Sequence, residues 1–476
     1  MKRLSQRFQV AVVLLTALPL CAQDGGATRV SALRGFATTN TLHTDTVRVA
    51  LPTGEMETDR ANVQAAFDTV QPVGTVLFAQ GTYLLGAGVR LTVPDVTVIG
   101  HNDGTVLRGC DPQAFVREVV FECAGFYIQA ERQTVRRLTF EYTWHGIVVG
   151  PHPTTAEEAA VRRASGAFYA APYPVGGQRI EGNTFRATIN GLRMLGIGTE
   201  LTVVSGNDFI DTFHAIGIYG PPLHFLDNRI TVTNPARVPF ARHPGSAVIV
   251  APGHTDCSGH VVAGNRIEGH PDAIYVSVRR GETCRGAEVR DNTIHVRRVK
   301  VPAPCASIPT CNSPIGAYPT DSDSTMVGTP ISLANNTVQY RPGTSATATE
   351  GILEDILVEG NRVIGAEGLG IRIQNASHNR IMGNTVARIE RRVPFPGNTW
   401  DSAAPTWTTW DVANGSAIWV SSGSEENEIV DNSFEDIAAF AVFLEGDNNQ
   451  VKLRSASDTV RDLGSGNRVT HQPEGY

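Results

Sequence analysis

The chain has 476 residues, of which 41% are hydrophobic and 18% charged, with 47 glycines and 27 prolines. This turn-rich composition excludes a coiled coil and a disordered chain. The formal net charge of −7 argues against a nucleic acid or an anionic membrane surface as the partner.

The N-terminus has the three-part layout of a secretory signal. Three basic residues precede an apolar run, residues 10–20, and Ala22 offers a small residue for cleavage. The run is too short to span a bilayer, and no later segment is suited to do so. We therefore expect residues 1–22 to be a signal peptide and the mature protein to be secreted or periplasmic. Cys21 leaves lipoprotein anchoring as an alternative.

Removing the signal leaves six cysteines, an even number that favours disulfides in an exported protein. Pairing between neighbours is the simplest arrangement, because each pair then lies within one coil or one loop. No pair has the Cys-x-x-Cys spacing of a zinc site. The expected pairs are Cys110–Cys123, Cys257–Cys284 and Cys305–Cys311.

After a linker, residues 23–54, the chain predicts a short capping helix and then strands. Thr58 and Asp59 can cap a helix over residues 60–70, which would cover the exposed edge of the first coil. Two further segments, residues 74–84 and 96–100, follow this helix at the start of the solenoid.

From there an asparagine recurs after an apolar strand, at spacings between 21 and 48 residues. Such repetition is typical of a solenoid in which each repeat is one coil. Asparagine tolerates the left-handed backbone of a tight bend, and stacked asparagines can hydrogen-bond along the axis. The positions are Asn183, Asn207, Asn228, Asn265, Asn292, Asn336, Asn361, Asn384 and Asn432.

A second strand follows each asparagine and alternates with period two. The sequence therefore predicts an all-β fold, a single-stranded right-handed parallel β-helix over residues 55–470 with a tail, 471–476. The second strand should form a continuous face of ten rungs, near residues 147, 192, 216, 248, 274, 315, 352, 371, 418 and 442. Long insertions are expected beside this face, near residues 151–177, 232–245, 297–313 and 390–415.

The capping helix and the strands that follow it resemble the opening of the pectate-lyase-like superfamily of parallel β-helices. That resemblance implies that substrate lies along the face made by the second strand. A face about 40 Å long suits a polymer better than a small metabolite. The superfamily includes lyases, hydrolases, epimerases and non-catalytic spikes, so the resemblance specifies the fold rather than the activity.

The expected groove carries a polar column two positions before the first inward residue of each rung: His145, Asn190, His214, Ser246, Asp272 and Ser313. Histidine is the natural proton carrier near neutral pH, and a carboxylate can orient it. Arginine can pair with the carboxylates of an acidic polysaccharide. The candidate catalytic residues are His214, His270, Asp272, Arg193 and Arg372; the same side chains could instead cap turns or keep the surface soluble.

Outward aromatic residues of the face offer flat surfaces for sugar rings. The alternative is a ladder of stacked rings that only stiffens the sheet. Arg279 is a further candidate to neutralise a carboxylate. The candidate substrate-binding residues are Tyr219, Tyr275, Arg279, Trp419 and Phe443.

The sequence favours an exported protein that cleaves a polysaccharide, most simply an acidic one, by β-elimination. Hydrolysis needs two flanking carboxyl groups, and the paired aspartates of the polygalacturonases in that superfamily are not found here. A glycoside hydrolase and a non-catalytic glycan-binding solenoid remain alternatives. No cofactor is required by the pattern, although one calcium ion held by aspartates and carbonyls is compatible with it.

Overall fold

A computed structural model describes residues 45–112, 123–150, 175–196, 198–220, 222–233, 246–252, 256–270, 272–278, 282–296, 329–335, 351–366, 368–391 and 413–472. These residues form one helix, Met56–Thr69, three long sheets and one two-stranded pair. The predicted signal peptide lies outside them.

We number the sheets by the order in which each coil visits them. Sheet 1 has 14 strands: Thr46–Arg48, Thr75–Leu77, Thr97–Ile99, Thr134–Arg136, Arg179–Glu181, Thr202–Ser205, Leu223–Leu226, Val261–Ala263, Glu288–Arg290, Leu357–Glu359, Arg380–Met382, Glu428–Val430, Gln450–Leu453 and Arg468–His471. Sheet 2 has 11: Gly81–Leu84, Thr105–Arg108, Thr139–Glu141, Thr184–Arg186, Asp208–Ile210, Arg229–Thr231, Arg266–Glu268, Thr293–His295, Arg362–Ile364, Thr385–Ile389 and Ser433–Ile437.

Sheet 3, whose outer face is the predicted groove, has 12 strands: Val89–Leu91, Ala124–Ile128, His145–Val149, Asn190–Met194, His214–Ile218, Val248–Val250, Ile274–Val278, Ile331–Asn335, Leu369–Gln374, Ser416–Val420, Val442–Leu444 and Val460–Asp462. The two-stranded pair is Thr283–Arg285 with Ile352–Glu354. Each strand pairs in parallel with the strand of the same sheet one coil away. The chain is therefore a right-handed parallel β-helix, as the sequence predicts.

The asparagines stack at the corner between sheets 1 and 2. The backbone N–H and the side-chain Nδ2 of Asn183 both donate to Oδ1 of Asn207, at 2.9 and 3.1 Å. The same pair of bonds is repeated from coil to coil as far as Asn432. Asn292 bonds directly to Asn361, so the prediction that Asn336 forms a rung between them is wrong. One coil there is 69 residues long.

The left-handed backbone does not lie at the asparagine itself, where the sequence predicts it. It belongs to the residue before each asparagine, such as Gly182 with φ 61° or Asp227 with φ 53°. Glycine and aspartate accept this conformation readily, which leaves the asparagine side chain free to point inward and extend the ladder.

A second ladder, which the sequence analysis missed, lies at the corner between sheets 3 and 1. At the N-terminal end Gln133 and Gln178 supply the side-chain acceptors, and at the C-terminal end Asn379, Asn427 and Asn449 do so. In the middle coils the same position is held by Leu223, His260 and Ala287, which are buried. The disulfide Cys257–Cys284 joins two coils at this interruption.

The core is a column of apolar side chains inside the coils. Phe185 stacks between Phe140 and Phe209, with ring centroids 5.1 and 4.8 Å away. The helix covers the first coil by inserting Phe67 against Phe126. Stacking in register gives one continuous interior rather than separate cores.

The helix begins earlier than predicted, at Met56. Asp59 is not its cap. Its carboxylate accepts hydrogen bonds from the backbone and hydroxyl of Thr53 and from the backbone N–H of Leu84, and so ties the helix to the first coils. Sheet 1 also begins before residue 55, with Thr46–Arg48.

The disulfides Cys110–Cys123 and Cys257–Cys284 are formed as expected. The pair Cys305–Cys311 lies outside the described residues.

Candidate functional site

The predicted register of sheet 3 is confirmed for most of its rungs. Ile147, Leu192 and Ile216 align on successive strands, and the alignment continues through later rungs to Val442. The prediction of a rung at residue 352 is wrong, because Ile352–Glu354 pairs with Thr283–Arg285 outside this sheet. Ile331–Asn335 fills the place between the rungs of Tyr275 and Arg372. The predicted rung near 315, with Ser313, lies outside the described residues.

The small residue at the start of each rung explains why the polar column faces outward. A Cβ added at Gly146 or Gly191 would lie 2.6 or 2.7 Å from the ring of Phe185 or Phe209, so these positions face the core. The residue directly before each of them must then turn away from the core. Thr329 occupies the column after Asp272, where its backbone N–H donates to the Asp272 carboxylate at 2.8 Å.

His214 is the half-buried histidine of this column. Its Nδ1 lies 2.6 Å from the carbonyl oxygen of Ser246 on the next coil. Because a carbonyl only accepts, Nδ1 carries the proton and Nε2 of the neutral ring holds a lone pair. The pKa of His214 is lowered to about 4, chiefly by burial; the Ser246 carbonyl opposes this shift and the Arg193 guanidinium adds to it. His214 is therefore neutral at physiological pH.

Arg193 and Tyr219 lie beside His214 on the outer face. The guanidinium carbon of Arg193 is 5.7 Å from the centroid of the Tyr219 ring, within the range of a cation–π contact. Gly217 is paired with Arg193 across the strands, and a Cβ at Gly217 would lie 2.7 Å from the Tyr219 ring. The absence of a side chain at Gly217 therefore lets the ring lie next to the arginine.

Arg372 belongs to a second polar group further along the same face. Its Nε donates to the hydroxyl of Ser332 at 2.9 Å. Burial lowers the pKa of Arg372 from its usual value, while Tyr275 and Asp272 act in the opposite direction. A guanidinium still keeps its charge in proteins. Arg372, Ser332, Tyr275 and Asp272 thus form one electrostatic group.

The two groups do not converge on one point. Four strand-to-strand steps separate the strand of His214 from that of Arg372, or about 19 Å at the usual strand spacing. The two residues cannot act on the same sugar ring. His270 is completely buried and is not presented to the groove, and Arg279 lies outside the described residues.

Two predicted sugar-binding aromatics are covered. Phe443 is fully buried and Trp419 is 9% exposed, in a cluster with Leu369 and Ala413. The indole nitrogen of Trp419 donates to Glu445 at 2.9 Å. An outward position on the strand is therefore not an exposed position at these two rungs. Tyr219 and Tyr275, in contrast, are half-buried.

The sequence analysis missed Ser332, Trp144 and Phe213. Ser332 was missed because the sequence analysis placed rungs near residues 315 and 352 and none at Ile331–Asn335. Trp144 and Phe213 are half-buried aromatic residues directly before His145 and His214, and the rings of Phe213 and His214 are 4.4 Å apart at 71°. An aromatic residue immediately before the polar column was the signal that could have identified them.

The described residues contain no group of three or more His, Cys, Asp or Glu side chains placed to hold a metal ion. Whether calcium binds stays a prediction. Nor does any described helix have the length and hydropathy that crossing a membrane requires.

Comparison with known proteins agrees with this architecture. A family model described as periplasmic copper-binding protein (NosD) matches residues 227–453, somewhat less than half of the chain. None of the curated proteins matches the chain by sequence.

Among solved structures, the chain is similar to a tailspike protein of the E. coli bacteriophage HK620 in complex with a pentasaccharide. The identity is 13%, the TM-score 0.51, and the match covers 88% of this chain and 76% of the tailspike chain. An alginate lyase from Paenibacillus shares 12% identity over 72% of this chain and 95% of its own, with a TM-score of 0.42. The likeness to the tailspike shows the fold alone, and this fold is the one that the sequence predicts: the chain is a right-handed parallel β-helix protein.

Proposed function

We propose that this protein binds an acidic polysaccharide along the outer face of sheet 3 and cleaves it by β-elimination at His214 and Arg193. The observation that carries the proposal is the state of His214. It is a neutral imidazole held by the Ser246 carbonyl through Nδ1, and within the described part of the chain its Nε2 has no hydrogen-bond partner.

The reaction requires removal of the proton on the carbon next to a uronate carboxylate. Arg193 neutralises that carboxylate, which makes the neighbouring proton more acidic, and Nε2 of His214 accepts it. The glycosidic bond on the next carbon then breaks, and the leaving oxygen takes up a proton. Tyr219, whose ring lies against Arg193, is the candidate donor and also a surface for the sugar ring.

A histidine with a pKa of about 4 is unprotonated at neutral pH but only weakly basic. Bound uronates would make His214 more basic. Each brings a negative charge toward the imidazole, and an opposite charge favours the protonated ring. The pKa of His214 should therefore rise toward the working pH when substrate binds, which is where a general base is most effective.

Export belongs to the same proposal. Two disulfides within the described residues suit an oxidising compartment, and the basic and apolar N-terminus is what a secretory signal requires. The protein would then act outside the cytoplasm, where polysaccharides of this kind are encountered.

The test is to incubate the purified protein with polygalacturonate, polymannuronate, polyguluronate and a neutral glucan. Ultraviolet absorbance of the unsaturated product and reducing ends are followed together. We expect both signals to rise together with at least one polyuronate and neither with the glucan. Reducing ends without absorbance would mean hydrolysis, and binding without either signal would mean a non-catalytic glycan-binding protein.

A further inference from the structure

Arg372 is a half-buried cation with unused donors. Its only hydrogen bond within the described part of the chain is the one from Nε to Ser332. Among these same residues no carboxylate oxygen lies within 4.0 Å of it, and none of them is a hydrogen-bond partner of either Nη nitrogen. A guanidinium partly withdrawn from water in this way is stabilised when an anion occupies its free edge.

The surroundings of Arg372 favour an anion that enters from the groove. Ser332 fixes the guanidinium from one side, and Tyr275 occupies the position beyond Ser332 on the next strand. Asp272 lies close enough to oppose the lowering of the Arg372 pKa without forming an ion pair with it. The two Nη groups are thus the part of the side chain left for a ligand, and they present the fork that matches a carboxylate.

We propose that Arg372 forms a second carboxylate-binding subsite, which holds a distant sugar of the same chain that is cleaved at His214. The proposal rests on the proposed function. Five strand-to-strand steps separate the strands of Arg193 and Arg372, or about 24 Å along the groove. A short oligosaccharide can reach only one of the two arginines, whereas a longer one bridges both.

The consequence is a threshold in chain length. Once a ligand is bound at Arg193, a carboxylate on a distant sugar of the same ligand meets Arg372 at a high effective concentration. The affinity therefore rises for ligands that are long enough to carry such a carboxylate. Below that length Arg372 adds nothing to the affinity of a ligand bound at Arg193. The subsite therefore selects for polymers and holds the chain in place while the distant bond is cleaved.

The experiment measures binding by calorimetry to the His214→Gln variant, which should leave the ligand intact. The ligands are sized oligogalacturonates and oligomannuronates, from short to long. We expect a steep rise in affinity at a length that spans both arginines. Arg372→Gln should weaken binding of long chains about tenfold or more, the value of a charge-assisted pair, and leave short chains unaffected.

Two further variants keep the test decisive. Arg372→Lys retains the charge but loses the fork, and should give an intermediate loss. Arg362→Gln removes an exposed arginine from sheet 2 and should change nothing. The same length dependence in Arg372→Gln as in its parent would overturn the subsite alone. No binding of any acidic oligosaccharide would overturn the proposed function itself.

Discussion

Two histidines in different regions of the coil have the same lowered pKa and different surroundings. His214 lies on the outer face of sheet 3, half-buried, with Nδ1 bonded to Ser246. His260 lies at the corner between sheets 3 and 1, with both ring nitrogens buried and without a hydrogen-bond partner among the described residues. Burial lowers the pKa of each to about 4.

The difference shows that a lowered pKa does not by itself identify a functional residue. At His260, Asp256 opposes the effect of burial and His224 adds to it, and no side of the ring reaches the groove. His260 stands where other coils carry ladder amides, so its neutral state is a matter of stability. At His214 the ring is oriented by Ser246 and lies near Arg193, so the same neutral state is what the proposed β-elimination requires of a base.

The largest expected effect is on catalysis. His214→Gln keeps a donor for the Ser246 carbonyl but removes the base, so we expect turnover of the preferred polyuronate to fall at least about a hundredfold. The melting temperature should change little, and His260→Gln is the matched control for loss of a histidine. Full activity in His214→Gln would remove the proposed site.

The corner around His260 should respond to loss of its disulfide. Replacing Cys257 and Cys284 together with alanine opens a crosslink between residues 27 apart in sequence. We expect the free energy of unfolding to fall by about 3 kcal/mol, measured by chemical denaturation. The same exchange at Cys110 and Cys123, 13 residues apart, should cost somewhat less. Unchanged unfolding in the first variant would show that the coils there are held by packing alone.

The pH dependence of stability isolates His260. The folded chain keeps this imidazole neutral down to about pH 4, whereas the unfolded chain protonates it below about 6.5. Stability is therefore fully present above the unfolded value and is lost as pH falls through this window. His260→Leu should retain on the order of 1–2 kcal/mol more of its neutral-pH stability at pH 5. Parallel pH curves for the two proteins would contradict this account.

The smallest expected effect is a displacement between two rate profiles. The acid limb of kcat/KM, which reports the free enzyme, should lie near pH 4, because the base must be unprotonated. The limb of kcat should lie higher, by roughly one pH unit, because bound carboxylates raise the pKa of His214. Superimposed limbs would mean that no uronate approaches the histidine.

The fold could be predicted because its determinants are local and repeated. An asparagine after an apolar strand, and a small residue before the next, recur in coil after coil. Prediction failed where this local signal misleads. Asn336 has the sequence context of a ladder residue, but the Asn292–Asn361 bond excludes it. The second ladder escaped notice because glutamine, threonine and asparagine share its position.

The site could be predicted only in part. The alternation within a strand shows which side chains face outward, but their exposure depends on the residues that cover the strand. The alternation placed Arg193, Tyr275 and Arg372 on one face correctly. It could not show that Phe443, with the same outward position, is fully buried. Nor could it find Ser332, because the number of residues between the strands of successive coils follows no rule, and one coil here is 69 residues long.

The amides of the first ladder all point in one direction. From Asn183 onward, the backbone N–H of each ladder asparagine donates to Oδ1 of the asparagine on the following coil. The amide dipoles of the column are therefore aligned. Only a whole coil can be added or deleted without breaking this ladder of hydrogen bonds. The groove can therefore grow or shrink only in increments of about 4.8 Å, and variants of this protein with longer or shorter grooves should differ by whole coils.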